Sequence, residues 1–161
     1  CNTKILVQMI NKNITGARVH PTVLFEGNGN VTAHPNSQIR AYSVIEMDKG
    51  NLVVGSNSVL GYHTFVQCSG TITIGNGTLI GPQCSIIASS HAVNDVALIS
   101  QPMIRGEIKI GNNVWFGSNC TINMGVTIGD NAIIGANSFV NKDVPANTVW
   151  VGSPIKFLKN R

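Results

Sequence analysis

Large apolar side chains recur at every sixth position along one stretch of the chain: Ile110, Phe116, Ile122, Ile128, Ile134 and Val140. Four places after each stands a small or β-branched residue, namely Val114, Cys120, Val126, Ala132, Ser138 and Val144. The register returns upstream at Val54, Leu60 and Val66, followed by Ser58, Thr64 and Gly70. It returns again at Ile74, Ile80 and Ile86, followed by Thr78, Cys84 and Ser90. A period of six matches neither the 3.6 of an amphipathic helix nor the two of an alternating strand. It matches short strands that turn two residues inward and then bend. Glycine directly follows the large apolar residue at positions such as Gly55, Gly61, Gly81, Gly117 and Gly135, with Asn57, Asn113, Asn119, Asn131 and Asn137 close behind. Both residue types visit the positive φ of a corner at low cost. Three such faces close a coil, so Ile110 to Ile128 is one full turn, and stacked turns form parallel strands about 4.8 Å apart. The pattern predicts an all-β hexapeptide solenoid.

Departures from the period predict the ends and the interruptions. Ile5, Leu6, Met9 and Ile10 in Thr3 to Lys12 fit a short helix or irregular segment, so residues 1–13 are read as a cap over an open end. From Ile14 to Leu52 the repeat is loose: Val31, Ile39 and Ile45 fit inward slots, whereas Phe25 to Asn30 and Asp48 to Asn51 read as turns. The spacing of eight between Val66 and Ile74 places two extra residues in a corner near Ser69 and Gly70. From 92 to 109 the pattern vanishes, which describes either a degenerate coil or a loop thrown outward, and Asn94, Asp95, Gln101 and Pro102 favour the loop. Ser153 as N-cap and Pro154 at the first helical position predict a short C-terminal helix within 153–161. The whole of 1–161 is read as a single domain.

Composition changes this picture little. Charged residues are 11% of the 161, as Asn-, Ser- and Gly-rich corners require, and no apolar run reaches the roughly 18 residues that span a bilayer. No signal peptide is apparent, and the expectation of a cytoplasmic protein rests on the cysteines, read as buried reduced thiols. The formal charge of +4 suits a polyanionic small ligand as well as a membrane surface. It gives no basis for a nucleic-acid partner and does not by itself indicate a membrane. Cys84 and Cys120 share an inward slot on neighbouring turns, while Cys1 and Cys68 lack metal-ligand spacing. Buried reduced thiols are expected, with a Cys84–Cys120 disulfide geometrically conceivable but not required.

Two segments carry a family resemblance: Ser89, Ser90 and His91 leading into the loop, and the run through Trp115, Val126, Gly129, Asn141, Lys142, Asp143, Val144, Pro145, Gly152 and Pro154. Over Ile74 to Leu158 the chain resembles the hexapeptide acyltransferases, and within them the galactoside, maltose and polysaccharide O-acetyltransferases. The resemblance implies a left-handed parallel β-helix; handedness comes from it alone, since parallel crossovers are otherwise right-handed. It also implies acetyl-CoA as co-substrate, no metal, and a homotrimer whose active sites lie between subunits. His91 matches the family's catalytic base. The chemistry agrees, because an imidazole near neutrality can take the proton of an alcohol as the alcohol attacks a thioester.

The resemblance assigns further residues one by one. Trp115, on an outward slot, either borders the active site or packs against another subunit. Gln67 lies where galactoside-type enzymes carry an Asn that touches acceptor or acetyl group, a departure that implies a different acceptor geometry. Asp95 is a candidate to orient His91, against the blander reading of a solvated loop charge. Gly117, Ser118 and Ala136 match positions that let the pantetheine arm approach the backbone. Lys142, Lys156 and Lys159 are candidates for the cofactor's phosphates, with only Lys142 inside the matched motif. The leading expectation is O-acetylation of a sugar or surface-polysaccharide hydroxyl. Acetylation of an amine or a small xenobiotic hydroxyl is the near alternative. A γ-type carbonic anhydrase would need three convergent His ligands, where only His91 is well placed. A non-catalytic scaffold is the remaining class.

Overall fold

In the computed structural model, which describes residues 10–93, 97 and 100–161, short parallel strands wind into a β-solenoid of about seven turns, consistent with the left-handed β-helix. Each turn has three faces. Ala33, Val54, Ile74, Ile110 and Ile128 stack inward on the first. Ile39, Leu60, Ile80, Phe116, Ile134 and Trp150 stack on the second. Ile45, Val66, Ile86, Ile122 and Val140 stack on the third. Apart from Trp150, which is only partly buried, these columns form one core. The smaller inward residues sit at corners, where their polar atoms are satisfied locally: Thr64 donates to the Gly61 carbonyl at 2.9 Å and Ser138 to that of Gly135 at 2.6 Å.

Corner chemistry divides between two residue types. Asn57, Asn113, Asn119, Asn131 and Asn137 hold φ of 53 to 61°. Their side chains also form ladders, with Asn113 donating to Asn131 and Asn119 to Asn137, each at 2.8 Å. The glycines after the large apolar residues serve a different need from positive φ. A Cβ on Gly61 would stand 2.6 Å from the Gly81 carbonyl carbon, and one on Gly117 would stand 2.5 Å from the Ala136 nitrogen. Close stacking of turns demands those glycines.

The structure corrects several expectations. Phe25 to Asn30 and Asp48 to Asn51 are not turns; they lie within the strands Leu24–Ala33 and Val44–Val54, which run from the third face round the corner onto the first. The end of the proposed N-terminal cap is the strand Ile10–Asn13, paired in parallel with Gly29 to Thr32; residues 1–9 lie outside the described residues. The segment 92–109 is too long for the loop, because Met103–Arg105 and Glu107–Ile110 are strands and Ile108 is fully buried. The C-terminal helix is replaced by the strand Lys156–Asn160, which folds back antiparallel on Thr148–Val151. This return covers the open edge of the second face, with the Phe157 ring edge-on to Trp150 at 6.0 Å. Ser90 is exposed rather than inward, since the chain leaves the coil just before it. Cys68, Cys84 and Cys120 are buried and unpaired in disulfides.

Candidate active site

The corner between third and first faces is where the solenoid opens. Upper turns carry extra residues there, including Ser69 and Gly70, as the spacing predicts. In the next turn the chain departs after Ala88 and returns at Gly106, whose N–H donates to the Ala88 carbonyl at 2.9 Å. Between them Ser89–His91 and Met103–Arg105 form an antiparallel ribbon that pairs His91 with Met103 and Ser89 with Arg105. Among the described residues, two side-chain contacts fasten the ribbon to the coil. The Ser89 hydroxyl donates to Gln67 Oε1 at 2.7 Å, and the Arg105 guanidinium is paired with the Asp48 carboxylate of an upper turn.

His91 is exposed on this ribbon. Its Nδ1 lies 3.3 Å from the backbone oxygen of Gln101. A carbonyl oxygen only accepts, so Nδ1 carries the proton and Nε2 is the basic nitrogen. Among the described residues, the group that orients the imidazole is a main-chain carbonyl; Asp95, the sequence candidate, lies outside them. No side-chain pattern in the sequence announces a backbone partner ten residues away.

A second group of residues sits elsewhere on the coil. Trp115 is 52% exposed, on the outer side of the second face, between Leu79 and Ile133 in register. Beside it is a pocket of about 360 Å³ at the corner between second and third faces, lined by Arg40, Val59, Tyr62, Leu79, Pro82, Trp115, Gly117 and Ser118 among others. Trp115, Gly117 and Ser118 thus come together, and Ala136 stacks against Gly117 on the next turn. Arg40 and Tyr62 carry no periodic signal and were missed by sequence reasoning. Lys142 is exposed at a different corner, beside Asp143, whose carboxylate accepts the Thr127 N–H at 2.7 Å. Lys156 and Lys159 lie exposed on the C-terminal strand. One chain therefore holds the Gln67–Ser89–His91 group and the Trp115 pocket on different corners and does not join them.

Comparison with known proteins agrees with this architecture. Residues 107–142 match the hexapeptide repeat of succinyl-transferase. Galactoside O-acetyltransferase of Escherichia coli is 39% identical over 109 residues, 68% of this chain and 54% of that enzyme. The chain thus spans about half the length of that relative. A Schizosaccharomyces pombe protein bearing an acetyltransferase name is 31% identical over 164 residues, covering 97% of this chain and 79% of its own. Among solved structures, a variant of AntD, an N-acyltransferase from Bacillus cereus in complex with dTDP and coenzyme A, superposes with a TM-score of 0.80 at 18% identity, over 94% of this chain and 82% of that one. The six-residue period, the stacked turns, the His-bearing ribbon and these likenesses agree: the chain belongs to the hexapeptide-repeat acyltransferase family.

Proposed function

We propose that this protein transfers the acetyl group of acetyl-CoA to a hydroxyl of a saccharide, with His91 as general base. The observation that carries the reading is the Nδ1 contact with the Gln101 carbonyl, which leaves Nε2 as an accessible proton acceptor. Nε2 takes the acceptor hydroxyl's proton as its oxygen attacks the thioester carbonyl. The tetrahedral adduct collapses, the carbon–sulfur bond breaks, and the imidazolium returns the proton to the leaving thiolate. No covalent enzyme intermediate is needed, because the thioester is already activated and the remaining task is approximation. The name of the galactoside relative supports a sugar acceptor, and the coenzyme A held by AntD supports the donor.

The separation of His91 from the Trp115 pocket supports a site shared between copies, as a homotrimer supplies. Leu79 and Trp115 expose apolar surface at the proposed boundary between copies. Gly117, Ser118 and Ala136 then receive the pantetheine arm, and Lys142 is the favoured phosphate contact, with Lys156 and Lys159 as alternatives. Acceptor-dependent thiol release from acetyl-CoA, followed for sugars and for amino sugars, tests the reading. His91→Ala should lose roughly 10²–10⁴ in kcat while acetyl-CoA still binds. Undiminished turnover in that variant removes His91 from the role of base. Turnover confined to amino sugars favours N-acetylation instead.

A further inference from the structure

In the three successive turns that line the Trp115 pocket, one corner position bears no side chain: Gly61, Gly81 and Gly117 each follow the aligned inward residues Leu60, Ile80 and Phe116. In the turn before them the equivalent place, after Ile39, is taken by Arg40. Its N–H donates to the Leu60 carbonyl at 3.0 Å, just as Gly61 bonds to Ile80 at 2.9 Å and Gly81 to Phe116 at 3.1 Å. The bare backbone of the three glycines floors the Trp115 pocket, and the Arg40 side chain stands at one end of it. The guanidinium carbon lies 5.7 Å from the centre of the Tyr62 ring. Among the described residues, Arg40 has no carboxylate partner.

A guanidinium resting over an aromatic ring is partly stripped of water yet keeps its planar set of N–H donors. Such a group favours a phosphate or carboxylate, which it can hold by two parallel bonds. Trp115, Leu79 and Pro82 supply apolar wall against which the carbon face of a sugar ring packs. Ser118, at the proposed donor end, is three turns from Arg40, roughly 14 Å at about 4.8 Å per turn. That span suits a sugar bearing an anionic substituent better than a bare hexose.

We infer that the acceptor is an anionic saccharide whose negative group is bound by Arg40 over Tyr62; this rests on the acetyltransferase reading above. Matched acceptors test it: a neutral methyl glycoside, the corresponding sugar 1-phosphate, the nucleoside-diphosphate sugar and the uronate. Rates are read as thiol release, and sugar-phosphate binding is read by calorimetry with acetyl-CoA affinity measured in parallel. The charged members should exceed the neutral one in kcat/KM by roughly tenfold to a hundredfold, the range for one charged hydrogen bond. Which charged member leads identifies the source of the anion. Arg40→Gln should abolish the advantage and weaken sugar-phosphate binding to the same degree, with Arg40→Lys keeping part of it.

Equal rates for neutral and charged acceptors in the unmodified protein, or an advantage that survives Arg40→Gln, overturn the inference while the acetyltransferase reading stands. Loss of acetyl-CoA affinity in Arg40→Gln would reassign Arg40 to the donor. Dissociation of the assembly without a change in charge preference would reassign it to a subunit contact. No turnover and no sugar-phosphate binding would remove both readings.

Discussion

The Ser89 hydroxyl, two residues before His91, is the smallest feature on which the proposed site depends. Its bond to Gln67 Oε1 ties the base of the ribbon to the neighbouring turn. Ser89→Ala removes that bond at a cost of about 1 kcal/mol in stability. Because His91 sits further along the same strand, we expect kcat to fall several-fold with acetyl-CoA affinity unchanged, and Ser89→Thr to recover part of the loss. A kcat equal to that of the unmodified protein would show that His91 is placed by Gln101 and the Asp48–Arg105 pair alone. Gln67, an acceptor-contact candidate by resemblance, is also the hydrogen-bond partner of Ser89 in the fold. The sequence could not supply that pairing, since the two lie 22 positions apart and meet only through turn stacking.

Turns and corners set the tolerance of the elements. Gly117, which directly follows Phe116, and Gly77, which stands three places after Ile74, occupy different places in the repeat and answer to different constraints. A Cβ on Gly117 would press on the backbone of Ala136, whereas one on Gly77, at φ 64°, meets nothing within 4 Å. The residues stacked with Gly77, Asn57 and Asn113, hold that same conformation. Gly117→Ala should therefore cost about 1–3 kcal/mol by overpacking, and Gly77→Asn should stay within about 0.5 kcal/mol of neutral. Chemical denaturation of both variants checks the pair. Comparable losses at both sites would mean that backbone conformation, not turn spacing, governs these glycines.

At the scale of the molecule, the core is a set of stacked columns with thiols enclosed among them. Burial pushes the Cys68 thiol from its ordinary value of 9.0 up to about 11, with backbone bonds from Ile72 and Asn51 opposing the shift. The folded chain holds a proton that the unfolded chain releases more readily. The corresponding stability is full below pH 9.0 and is lost as pH rises through about 11. Thermal unfolding between those limits should decline more steeply for the unmodified protein than for Cys68→Ala, whatever the absolute loss from the smaller side chain. Parallel declines would show that Cys68 does not contribute to the alkaline instability.

The coiled architecture, though not its hand, is legible in the order of residues, because under a six-residue period each inward residue lies over its equivalent in the next turn and the local pattern repeats as the global one. That order also marked an interruption near His91, since breaking a strict period is conspicuous, although the chain leaves the coil three residues earlier, after Ala88. Where the period loosens, between Ile14 and Leu52, the pattern fails because long strands passing round a corner contain Gly and Asn, which read as turns. The C-terminal segment misled for a related reason. Its Ser-Pro signal describes a helix start, while the exposed edge of the second face offered backbone partners that only the folded coil creates. The imidazole's partner, the bolting of the ribbon by Gln67 and Asp48, and the sharing of one pocket by Arg40 and Trp115 three turns apart arise in the folded coil alone. These contacts join residues distant along the chain, and turn stacking, which no local pattern encodes, brings them within reach.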